Sequence, residues 1–217
     1  MRGRIVGAVV CLWGATACGD NLVGAPPDGF KPRVPTEVTP TVGYPDPPAG
    51  GEYGGNEGDV LPNMTFAGYL TSSPELGPVT GLEYKESITL EDVRQLEGYT
   101  HMLLTVAAEW CKPCREEAEI LPELFDAWAK RGGYVLSVIN QDRLYNTADK
   151  RAVDAWGKRY ATNYTLTHDP EGWIANFLNP STVPLNVVVD LETMTVLRSR
   201  VGEDRDTFRF FEQQLDQ

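Results

Sequence analysis

The chain has 217 residues, with 31 acidic against 19 basic side chains and a formal net charge of −12. Such acidity repels nucleic-acid phosphates and anionic lipid headgroups, so neither is an expected partner. Of the four cysteines, Cys111 and Cys114 form a C-x-x-C pair; only His101 and His168 remain to complete a zinc site, and neither stands at ligand spacing, so no metal is expected.

Arg2 and Arg4 precede an apolar run, residues 5–13, that is too short to span a bilayer as a mature helix. It reads as an export signal. The following Ala15-Thr16-Ala17-Cys18 resembles the end of a bacterial lipoprotein signal, in which the cysteine receives a lipid and becomes the new N-terminus. The expectation is therefore a signal over residues 1–18 with Cys18 as the lipid-attachment residue, ordinary cleavage near an Ala-x-Ala site being the alternative. Cys11 is discarded under either reading. The protein is then exported and anchored by acyl chains on the periplasmic face of a bacterial membrane. Residues 19–62 are dense in Pro, Gly and acidic residues and bury too little apolar area to offset ordering entropy. They read as a disordered tether. Residues 63–217 suit one domain with a single core, expected as a monomer.

Within that domain, residues 65–69 suit a strand and residues 89–96 a short helix, with Thr89 as cap and Asp92 three residues on. Residues 102–108 are a continuous apolar run, the pattern of a strand buried on both faces. Helix signals run from Cys114 to Lys130, with Ile120, Leu121, Leu124, Phe125 and Trp128 on one face and Gly132-Gly133 as a stop. Pro122 interrupts this helix and removes a bond to the carbonyl of Ala118, which predicts a bend. Residues 134–140 are rich in strand formers, completing a βαβ unit with parallel strands. Asn146 or Thr147 is expected to cap a further helix running to Tyr160. A short strand over 164–167, a short helix over 173–178 and a hairpin of 185–190 with 194–201 come next. Asp204 or Asp206 opens a last helix carrying Phe208, Phe211 and Leu215.

The chemistry concentrates in Trp110-Cys111-Lys112-Pro113-Cys114-Arg115, between the buried strand and the helix. Two thiols separated by two residues at a helix start close into a disulfide and reopen without unravelling the fold. Unpaired N–H groups and the positive end of the helix dipole favour a thiolate at Cys111, the expected nucleophile. Cys114, one turn in, would attack the mixed disulfide and release the reduced partner. Lys112 favours the Cys111 thiolate, and Trp110 is expected to cover the disulfide and shape the docking surface.

Strand, Trp-Cys-x-Pro-Cys, helix, strand, then Thr182-Val183-Pro184 before a hairpin and a last helix is the order of the thioredoxin fold. The chain resembles that superfamily over roughly residues 64 to 217, and residues 108–117 with the export signal and the extra helix after the βαβ unit most resemble TlpA/ResA-type membrane-tethered thiol–disulfide oxidoreductases. The resemblance implies an α/β thioredoxin-like fold, a central mixed sheet flanked by helices, with an inserted helix after the first βαβ unit and an N-terminal extension. It implies a cis Val183–Pro184 bond beside the active sulfur, with Val183 binding an extended substrate strand. It implies a functional acid at Glu117 near the thiols, able to take a proton from Cys114, with a plain surface glutamate as the alternative. No cofactor beyond the Cys111–Cys114 disulfide is implied. Partners would be exported thiol or disulfide proteins and an unidentified redox partner, with reduction as the direction of exchange. Two departures stand out: Thr105 occupies the strand position where thioredoxin has a buried aspartate, and Pro122 lies farther from the thiols than in relatives. A tethered non-catalytic binding module and a peroxiredoxin-like thiol peroxidase remain open readings of the same pair.

Overall fold

A computed structural model describes residues 41–49, 51–179, 182–202 and 205–217. The expected export signal and Cys18 lie outside the described residues. The elements in chain order are β1 (Thr65–Tyr69), β2 (Tyr84–Thr89), α1 (Leu90–Arg94), β3 (His101–Ala108), α2 (Lys112–Trp128), β4 (Gly133–Gln141), α3 (Lys150–Arg159), β5 (Thr165–His168), β6 (Leu185–Asp190), β7 (Val196–Val201) and α4 (Arg205–Gln214). The seven strands form one sheet in the order β2-β1-β5-β4-β3-β6-β7. β3 runs parallel to β4 and antiparallel to β6, so the apolar run of the sequence is a central strand with a neighbour on each edge. Its residues from Met102 to Ala108 are buried, which explains an unbroken apolar run in place of alternation.

Helix α2 follows β3 directly, and β4 returns parallel to β3, the βαβ unit expected from the sequence. Trp128 at the end of α2 meets Phe208 and Phe211 of α4 edge to face, with ring centroids 5.7 and 5.1 Å apart, so these two helices share one apolar seam. α2 stops because Gly132 takes a left-handed φ of 86°, which a side chain resists, and Gly133 enters β4 where a Cβ would lie 3.0 Å from Trp128. The inserted helix α3 packs on β1, β4 and β5. β1 and β2 form the N-terminal extension of the sheet, with a register shift at Gly68, where a Cβ would lie 2.2 Å from the Leu166 carbonyl oxygen.

Three expectations need correction. α3 does not start at Asn146 or Thr147. Its cap is Asp149, whose carboxylate accepts from the backbone N–H groups of Arg151 and Ala152. Asn146 and Thr147 are spent in a loop: the N–H of Asn146 bonds the Asp142 carboxylate and Thr147 bridges Gln141. The second correction concerns the end of the supposed tether. Over residues 41–62, Tyr44 is buried and donates its hydroxyl to the Leu61 carbonyl at 3.0 Å, and Leu61 itself is fully enclosed. The Leu61 N–H bonds the carbonyl of Met194, and Val60 bridges Thr195, so this stretch is stitched to the β6–β7 hairpin. A few aromatic and aliphatic anchors outweigh the Pro and Gly content there. Finally, β2 was not foreseen, because its outward residues Lys85, Glu86 and Ser87 leave only Ile88 buried along an edge strand.

Candidate active site

The site forms where β3 ends and α2 begins. Cys111 is the N-cap of α2, with Lys112 and Pro113 in the first turn; proline fits there because its missing N–H has no intrahelical partner in any case. Cys111 and Cys114 are joined as a disulfide, with Cα atoms 5.3 Å apart. The N–H of Cys114 points at Cys111 Sγ at 3.1 Å. That geometry gives a thiolate at Cys111 a charge-assisted hydrogen bond at the positive end of a 17-residue helix. Both cysteines are buried, Cys111 at 0 % and Cys114 at 2 % exposure, so exchange requires the residues around them to move locally.

The Val183–Pro184 peptide bond is cis, and the carbonyl oxygen of Val183 lies 3.5 Å from Cys111 Sγ. The loop before β6 is thereby set against the nucleophile, although the chain is more than 70 residues away in sequence. Trp110 is half-buried; its indole N–H donates to Gln141 at 3.1 Å, and its ring stacks on Tyr145 at 5.0 Å. Lys112 is 77 % exposed, and its ammonium lies 3.2 Å from Glu116. Its pull on a Cys111 thiolate is therefore countered by a neighbouring acid and screened by solvent.

Glu117, three residues after Cys114, is not a surface glutamate: it is 8 % exposed. Positions three apart on a helix share one face, which places its carboxylate on the side of Cys114. It accepts a hydrogen bond from the side-chain amide of Asn186 at 3.0 Å. Asn186 is fully buried, pairs with Thr105 across β3 and β6, and has no partner for its own Oδ1. Thr105 in turn donates to Ser137 at 3.0 Å. Ser137, Thr105 and Asn186 thus make a neutral polar row across three strands, and Glu117 supplies the charge at its end. Sequence reasoning missed Asn186, Gln141 and Tyr145. The signal for Asn186 was present: an amide inside Leu185-Asn186-Val187-Val188-Val189 is out of place in a buried strand unless it has a polar neighbour.

Among the described residues, no group of three or more His, Cys, Asp or Glu side chains is arranged to hold a metal ion, and no helix is long and apolar enough to cross a membrane.

Residues 75–197 match the model of the AhpC/TSA family. The chain belongs to that family. It is 25 % identical over 105 residues to the thiol-disulfide oxidoreductase ResA of Geobacillus kaustophilus, a match covering 44 % of this chain and 56 % of that protein. The chain thus spans little more than half the length of this relative. Among solved structures it is similar to a thiol:disulfide interchange protein from a Bacteroides species, with a TM-score of 0.55 and 15 % identity over 75 % of this chain and 91 % of that one. It is likewise similar to a thiol:disulfide interchange protein of the thioredoxin family from Chlorobium tepidum, with a TM-score of 0.51 and 17 % identity over 74 % and 99 % of the two chains. These likenesses show a thioredoxin-like fold.

Proposed function

We propose that this chain is a thiol–disulfide oxidoreductase that reduces disulfides in exported proteins through Cys111 and Cys114. The observation that carries the reading is the Cys111–Cys114 disulfide at the start of α2, with the Cys114 N–H on Cys111 Sγ and the Val183 carbonyl facing the same sulfur. In the reduced protein the Cys111 thiolate attacks one sulfur of a substrate disulfide, forming a mixed disulfide and expelling the substrate's other sulfur as a thiolate. Cys114 loses its proton to Glu117 and attacks Cys111 Sγ, which closes the Cys111–Cys114 disulfide and releases the second substrate thiolate. Two electrons pass from the protein dithiol to the substrate, and an unidentified redox partner must return them.

Trp110 and Val183 form the platform for the substrate chain, while Pro113 and Pro184 fix the backbone around the sulfurs. Attachment through a lipid on Cys18, at the periplasmic face of a bacterial membrane, completes the reading and is supported by the leader's basic and apolar pattern. The test is trapping. Cys114→Ser should accumulate a mixed disulfide with an oxidised protein substrate at Cys111, whereas Cys111→Ser should form none and lose insulin reduction. Undiminished insulin reduction by Cys111→Ser would overturn the proposal.

A further inference from the structure

A cavity of about 370 Å³ is lined by Glu109 and Trp110, Arg115 of α2, Arg143 of the loop after β4, and Arg159 and Tyr160 at the end of α3. Three guanidinium groups around one cavity run against a net charge of −12 for the whole chain. Arg143 is paired with Glu109 at 3.6 Å. Among the described residues, Arg115 and Arg159 form no ion pair. Arg115 is instead held in place by donating to the backbone carbonyls of Glu109 and Trp110 at 3.0 and 2.8 Å, which ties its position to the residues that precede Cys111. The Arg159 guanidinium sits 5.5 Å from the centre of the Tyr160 ring, within cation–π reach. Tyr160 is more than nine-tenths buried, and the Arg159 side chain is the polar group that acts on its hydroxyl. Burial raises its pKa, so at neutral pH it remains a donor. Glu109 lines the cavity and is engaged by Arg143, and the charge of Glu119 reaches Tyr160, so the lining itself carries three guanidiniums and one carboxylate.

An exposed apolar pair follows Arg143 in the chain. Leu144 is 78 % exposed, and Tyr145, half exposed, stacks on Trp110 with a left-handed φ of 66°. That backbone conformation is costly for a tyrosine and is held by the Asp142 carboxylate, which accepts from the N–H groups of Leu144 and Asn146 at 2.8 and 2.9 Å. Two large side chains are therefore presented to solvent in the loop that carries Arg143, and one of them, Tyr145, stacks on Trp110, the residue that precedes the nucleophile.

We infer that the exchange site selects polypeptide substrates with an acidic side chain near the reactive cysteine, the carboxylate entering the arginine cavity and an adjacent apolar residue resting on Leu144 and Tyr145. This inference rests on the exchange reading proposed above. Planar, bidentate recognition of a carboxylate is what paired guanidiniums do best. The occupant is a polypeptide because a small anionic thiol would fill the cavity and leave the Leu144–Tyr145 ledge uncovered.

The test compares the reduced full chain on disulfide-linked peptides in which Glu, Gln or Lys flanks the cysteine. The expected order of rates is Glu above Gln above Lys. Arg143→Gln and Arg159→Gln should each lower the Glu-over-Gln ratio roughly two- to fivefold, the range for part-exposed ion pairs, and salt should compress it. Arg159→Glu should reverse the order between the Glu and Lys peptides. Equal rates on all three peptides, an unchanged ratio in the double glutamine variant, or faster reduction of oxidised glutathione than of the Glu peptide would overturn the inference. Failure to reduce any of the peptides would instead sink the exchange reading itself.

Discussion

Glu117 offers the sharpest separation of a structural from a chemical role. Glu117→Gln keeps the side chain's volume and still presents a carbonyl oxygen to the Asn186 amide, which lies 3.0 Å away in a fully buried position. A hydrogen bond to a charged acceptor contributes about 1.5–3 kcal/mol and a neutral one about 0.5–1.5 kcal/mol, so the exchange loses on the order of 1 kcal/mol. Removing a buried carboxylate recovers desolvation energy of similar size. The melting temperature should therefore change by no more than about 4 °C, since 1 kcal/mol corresponds to roughly 2–4 °C for a domain of this length. The chemistry should change far more. Without a base for the Cys114 proton, closure of the mixed disulfide should slow by about 10²-fold, the low end for a lost general base. Stopped-flow mixing of the reduced variant with an oxidised peptide, quenched with acid and resolved by mass, reads this directly: the mixed disulfide on Cys111 should accumulate. A variant that closes within twofold of the native rate, or that loses more than about 8 °C in melting temperature, would refute the assignment and leave Glu117 a packing residue.

Other consequences follow from the same geometry. Tyr44→Ala should lower stability by about 3–5 kcal/mol, as for other buried aromatics, because the ring anchors residues 41–62 on the hairpin; urea denaturation measures it, and a loss below 1 kcal/mol would mean that the stretch is dispensable. Burial outweighs the charges of Asp149 and Glu86 on His168, and that of Asp190 on His101, holding both pKa values below 6.5. The neutral forms are then favoured in the fold, the unfolded chain takes up protons first, and stability should fall as the pH drops below about 6.5. Melting at pH 7.5 and 5.5 should show the drop, and the double Gln variant should flatten it. Asp142→Ala should free the Leu144–Tyr145 loop, increasing the solvent accessibility of Trp110 in fluorescence quenching while the far-UV spectrum is unchanged.

The parts of the fold that sequence makes legible are those where burial is two-sided or chemistry is local. Residues 102–108 carry the pattern of a strand buried on both faces, and the Cys111-to-Cys114 spacing at a helix start brings both sulfurs to one end of α2. Val183–Pro184 was readable only through the family likeness, since nothing in Thr182-Val183-Pro184 alone sets a cis bond beside a sulfur far away in the chain. The missed features are those made by distant pairs. Asn186 gains its meaning from Glu117, and neither sequence neighbourhood names the other. Arg115, Arg143 and Arg159 look like scattered surface charges until α2, α3 and the loop after β4 bring them to one cavity. The start of α3 was misplaced because two good capping residues, Asn146 and Thr147, were claimed by the Asp142 loop first, leaving Asp149 to cap. Composition misjudged residues 41–62, where Tyr44, Val60 and Leu61 are few in number but all buried.

The most direct test of the central claim is a redox titration of the full chain in dithiothreitol and glutathione buffers, with the Cys111 and Cys114 thiols counted by alkylation and mass. The account predicts a single reversible two-electron transition confined to these two cysteines, with a midpoint more negative than about −200 mV, on the reducing side of known C-x-x-C proteins. A midpoint more positive than about −200 mV, or a disulfide that dithiothreitol cannot open reversibly, would contradict it.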